Sequence, residues 1–178
     1  MDWLHQVTDI LDKYSTSGTA QVPGSVDADF DRLSRHAPSE TVSQGLAEAF
    51  RSNQTPPFAN MLSQLFGRSP ATQKSNVVNT LIATLGPTLI AQILAQHGAP
   101  RAAKELESGK TSISPEAAEQ IPEKSIVAAA AEAEKQDPSI VDRVSKFYAD
   151  QPALIKTLGG LALTVAMAKV AQHQTQRR

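Results

Sequence analysis

The chain reads as an all-α protein, a bundle of many short helices around a central apolar C-terminal helix. No run of alternating β-branched residues stands between turn signals, so nothing in the pattern calls for a sheet. A Ser, Thr or Asp followed by Pro recurs at Thr55-Pro56, Ser69-Pro70, Ser114-Pro115 and Asp137-Pro138, with Gly86-Pro87 and Gln151-Pro152 as weaker versions. Proline at the first helical position loses no hydrogen bond, and the preceding oxygen accepts from the open amides, so this punctuation predicts short helices and tight corners. The third observation is residues 152–171, PALIKTLGGLALTVAMAKVA, which have no polar face as a helix and must be covered all round, by protein or by lipid.

Taken in order, residues 1–15 form an N-terminal helical arm in which Trp3, Val7, Ile10 and Tyr14 make one stripe with Leu4 and Leu11 beside it. Residues 16–25, rich in Ser, Thr and Gly, read as a linker, so the arm is free to dock on its own domain, a second copy or another partner. Residues 26–98 form a helical subdomain. Phe30 and Leu33 mark its first helix, Val42, Leu46 and Phe50 its second, and Phe58, Met61, Leu62, Leu65 and Phe66 a dense apolar third. A hairpin follows, with Val77, Val78, Leu81, Ile82 and Leu85 facing Leu89, Ile90, Ile93 and Leu94 across Gly86.

Apolar periodicity lapses after Gly98, and residues 99–112 read as an exposed connection. The C-terminal subdomain, 113–178, resumes with helices over 115–120, 122–136 and 138–149 before the closing helix. The run 126–133 is rich in alanine, which favours helix and packs thinly.

In the closing helix, Leu154, Leu158, Leu161 and Val165 form one ridge and Leu163, Met167 and Val170 the opposite one. Thr157, Gly160, Thr164, Ala168 and Ala171 lie between them as small residues that let another backbone come close. A membrane span needs about 20 apolar residues. The uncharged run extends only from Thr157 to Ala168, between Lys156 and Lys169, which favours a buried core helix.

Several chemistries are excluded. With no cysteine there is no thiolate nucleophile, disulfide or Cys-based zinc site. Gly109-Lys110-Thr111 ends like a phosphate-binding loop, but the first glycine of that motif would fall at Lys104. Asp27, Asp29 and Asp31 alternate like the start of a calcium loop, yet Arg32 and Pro38 occupy its glycine and glutamate positions; the acids favour a helix N-terminus instead. His5, His36, His97 and His173 are scattered, Glu116, Glu119 and Glu123 read as a solvated face, and the basic residues form no stripe for nucleic acid. No catalytic residue, metal or cofactor is expected. Asp2, Asp9 and Asp12 among the first apolar residues do not give the basic-then-apolar order of a signal peptide, and the expected location is cytoplasmic.

Charge is uneven along the chain: no carboxylate lies between Glu48 and Glu105, whereas nine stand from Glu105 to Asp142. Ile113-Ser114-Pro115-Glu116-Ala117, with Gln120 and Pro122-Glu123 after it, resembles the cadence of small uncharacterised bacterial proteins of the YidB-like kind, and Thr80–Gly86 loosely echoes their leucine hairpins. The resemblance implies a bacterial cytosolic protein and carries over no functional residue. The functional expectation is a non-enzymatic helical interaction or scaffold protein that forms a homo-oligomer. Its contacts would come from Trp3, Val7, Ile10 and Tyr14 of the arm and from Thr157, Gly160, Thr164 and Ala168 of the last helix. The alternatives are a peripheral protein on an anionic membrane surface and a carrier of an apolar ligand.

Overall fold

The computed structural model describes residues 3–16 and 23–177, and every regular element among them is helical. The α-helices are α1 (Trp3–Thr16), α2 (Val26–His36), α3 (Ser39–Arg51), α4 (Phe58–Arg68), α5 (Ala71–Leu85), α6 (Pro87–Gln96) and α7 (Pro100–Glu107). They continue with α8 (Pro115–Glu119), α9 (Glu123–Gln136), α10 (Ile140–Ala149), α11 (Pro152–Ile155) and α12 (Gly160–Gln176), a 3-10 turn over Lys156–Leu158 preceding the last. Most of the expected linker, residues 17–22, lies outside the described residues.

The chain forms two compact units: 1–56 with 145–178, and 57–144. These boundaries differ from the expected subdomains 26–98 and 113–178, and residues 99–112 are not merely a connection. They hold α7, whose Ala102, Ala103 and Leu106 are buried and which packs on α6 and α8. Alanine buries too little apolar area per residue to stand out in a periodicity, so a helix packed through two alanines and one leucine reads as a gap.

In the discontinuous unit, α1, α2 and α3 all pack on α12. The α3 contact is close because Gly45 has no side chain: a Cβ there would fall 2.6 Å from Val170 Cγ2 and 2.9 Å from the Ala166 carbonyl oxygen. Ala49 joins Val165 and Ala166 in the same buried cluster. The other helix, α2, is tied on two sides. Asp29 Oδ2 accepts from Lys13 Nζ at 2.7 Å and from Tyr14 Oη at 2.9 Å, Asp9 pairs with Arg32 at 3.0 Å, and Asp31 pairs with Lys156 at 2.9 Å.

The expected single closing helix is broken. Gly159 takes φ +94° and ψ 167°, a region open only to glycine, and 152–158 turns from 160–176 by 116°. Enclosure on every side therefore holds for much of α12, where Ala162 to Ala168, Val170 and Ala171 are buried, and fails at its first turn, where Leu161 is 40% exposed. Thr164, wholly buried, donates its hydroxyl proton to the Gly160 carbonyl at 2.7 Å.

In the continuous unit, α4 packs on α9, α5 on α8 and α9, and α6 on α7. The alanine-rich run is helical as expected, and Ala129, Ala130 and Ala133 are buried. The α5–α6 hairpin turns at Gly86, with φ +88°, as expected. Connections are pinned by side chains: Ser75 Oγ donates to the Ile113 carbonyl at 2.6 Å, Asn79 Oδ1 accepts from the Ile113 amide at 2.8 Å, and Ser125 Oγ donates to the His97 carbonyl at 2.9 Å. Ser114 caps α8 as the cap-and-proline pattern predicts, its Oγ accepting from the Ala117 amide at 3.3 Å. Thr55 and Ser69 act differently. Their hydroxyls donate backward to Ala49 and Leu65 and close the preceding helices, while α4 and α5 begin only at Phe58 and Ala71.

Candidate interaction surfaces

The arm residues expected to meet a partner are already covered. Val7, Ile10 and Tyr14 are at most 2% exposed, on a helix packed against α12 and α2. Only Trp3 of that set remains half-buried. The apolar stripe was legible, but a sequence has no way to say which of three possible docking sites wins. The carboxylate of Asp29 bears on that outcome: burial pushes its pKa up, but hydrogen bonds from Lys13, Tyr14 and Ser25 and the Lys13 charge outweigh burial and hold it below the usual range. Burial, followed by the hydrogen bond to Asp29 and its charge, pushes the Tyr14 phenol up.

The small residues of the last helix divide in the same way. Thr164 and Ala168 are buried, while Thr157 and Gly160 are half-buried. The close backbone approach is made by α3 of the same chain, and it is made over Ala166 and Val170 rather than over the Thr164–Ala168 line. A stripe that allows intimate packing does not say whose backbone takes it up.

What does reach solvent is the corner made by α11, the 3-10 turn and the first residues of α12. Ala153 and Leu161 are exposed there and Leu154 and Leu158 half-buried, and Leu161 is the one exposed large hydrophobic among the described residues. Lys156 fastens this corner to Asp31 of α2. The Gly159-Gly160 pair is the sequence signal for this corner, masked by the leucines and alanines that favour helix on both sides of it.

A second feature of the discontinuous unit is an open cleft of about 520 Å³. Tyr14, Val165 and Ala168 contribute its apolar portion, and Glu48, Arg51, Lys169 and Gln172 its polar portion. Ala168, Lys169 and Gln172 follow Val165 by three, four and seven residues and so share one α12 face. Among the described residues, no group of three His, Asp or Glu side chains converges where it would hold a metal. No single helix among them is long and apolar enough to cross a membrane.

No family model, curated protein or solved structure matches the chain. The YidB-like cadence at 113–123 therefore rests on those residues alone.

Proposed function

We propose that this is a non-enzymatic helical interaction protein that self-associates through the leucine corner at the break between α11 and α12. The observation that carries the reading is the exposure of Leu161, the one large hydrophobic side chain in the exposed class among the described residues, with Leu154 and Leu158 half-buried in the same corner. Leucines at an exposed corner gain by meeting the same corner of a second copy, because a two-fold interface needs only one self-complementary patch. The patch is small, which favours a weak and concentration-dependent dimer over an obligate one.

Light scattering coupled to size-exclusion chromatography tests this directly. The native chain is expected to gain mass with concentration and Leu161→Glu to remain monomeric. A native chain that stays monomeric at the highest attainable concentration overturns the reading.

The membrane alternative draws on the same corner, since leucines flanked by Lys156 suit shallow insertion beneath lipid headgroups. Flotation with anionic vesicles separates it from self-association. The carrier alternative draws no support from the 520 Å³ cleft, which is open and bordered by charged and amide side chains.

A further inference from the structure

One face of α7, with the turn after it, gathers three cations against a single carboxylate. Arg101, Lys104, Glu105 and Ser108 are spaced by three, four and seven residues and share that face, and with Lys110 they line an open groove of about 470 Å³ within 57–144. Lys110 is brought back beside the helix by the turn at Gly109, whose φ of +96° favours glycine, with the Gly109 amide donating to the Leu106 carbonyl at 3.1 Å.

Glu105 is the groove's one carboxylate, and it is engaged elsewhere. Its Oε2 accepts from the Ser114 amide at 3.0 Å and its Oε1 from the Ser114 hydroxyl at 2.8 Å. Those two bonds, first the backbone and then the hydroxyl, together with the Lys110 and Arg101 charges, hold its carboxyl below the ordinary range against the effect of burial. Glu107 points its helix position toward a different cleft, one bordered by Thr88 and Gln92. Nothing acidic precedes Glu105 as far back as Glu48. Arg101, Lys104 and Lys110 are exposed and enter no ion pair among the described residues.

We propose that this groove is an anion site that takes a phosphoryl group, free or as the headgroup of a phospholipid, between Arg101, Lys104 and Lys110. Three cations against one committed carboxylate leave an excess of positive charge, which matches a phosphoryl dianion and its several acceptor oxygens better than a single carboxylate. The site is independent of the leucine corner, so either proposal stands or falls without the other.

The test uses the full chain and two probes. In an amide NMR titration at low ionic strength with inorganic phosphate, saturable shifts are expected at Arg101, Lys104 and Lys110, weakening as salt is added. Lys104→Gln with Lys110→Gln is expected to lower the affinity by about tenfold for each cation removed. These exposed lysines donate no hydrogen bond among the described residues, so an unchanged melting temperature is expected and separates lost binding from lost fold. Glu105→Gln is expected to tighten binding a few-fold. Flotation with phosphatidylcholine vesicles containing phosphatidate, compared with phosphatidylcholine alone, identifies the source. Phosphatidate-dependent flotation that the double variant loses points to a lipid headgroup, and saturable phosphate binding without flotation points to a free phosphate. Absence of binding to both probes, or equal binding by the double variant, overturns the proposal.

Discussion

Asp29 concentrates more of the arm's attachment than any apolar contact reveals, because one oxygen accepts from Lys13 and Tyr14, and Ser25 also donates to it at 2.9 Å. Its folded pKa is depressed, so its stabilisation is complete above the unfolded carboxyl value, near ~3.9, and is lost as pH falls through the folded value. Asp29→Asn keeps the shape and removes the charge. It is expected to cost about 1–3 kcal/mol at neutral pH, the scale of hydrogen bonds to a charged group. The gap between variant and native chain should begin to narrow at about pH 4 and close only once the pH is below the depressed folded value. Urea denaturation across that range checks it, and a gap independent of pH would mean that the charge of Asp29 contributes nothing. In the sequence this acid reads only as a partner of a helix dipole. Its bond to Tyr14 joins residues 15 apart, a pairing that no helical spacing displays.

Two glycines set the course of whole elements. At Gly45 the α3 and α12 backbones meet with no room for a methyl group, so Gly45→Ala must push α3 off Ala166 and Val170. Overpacking of this kind is expected to cost about 1–3 kcal/mol, read as a lower melting temperature. At Gly159 the space is open, with nothing within 4 Å of a built Cβ, but φ is +94° and ψ 167°. Gly159→Ala should lose about 1–3 kcal/mol through backbone strain alone. A Gly159→Ala chain as stable as the native one would mean that 152–176 accepts a continuous helix. The contrast explains what could be read in advance. Gly86-Pro87 announces its turn because glycine is followed by a residue that starts a helix, whereas Gly159-Gly160 is embedded among leucines and alanines that favour helix on both sides. Likewise Ser114 was legible as a cap, but Thr55 and Ser69, with the same Pro after them, close the helix behind. Whether a hydroxyl bonds forward or backward depends on where the preceding helix stops, and a dipeptide does not record that.

The discontinuous unit takes its first three helices from one end of the chain and α12 from the other. During synthesis α2 and α3 precede the helix they pack on by more than a hundred residues, whereas α4 to α9 find their partners in one contiguous stretch. Local partners form first and cheaply, so 57–144 should acquire protection before the ends do. Loss of α12 should then be selective. Burying Leu163, Val165, Met167 and Val170 contributes about 1.5–3 kcal/mol each, a sum comparable with the ~5–15 kcal/mol that holds a whole domain folded. A chain ending at Gly159 is therefore expected to lose amide protection in α2 and α3 while α5 and α9 keep theirs, measured by hydrogen exchange with mass spectrometry. Protection retained in α3 would deny α12 its place as the support of that unit. Protection lost throughout would deny 57–144 a core sufficient to stand by itself.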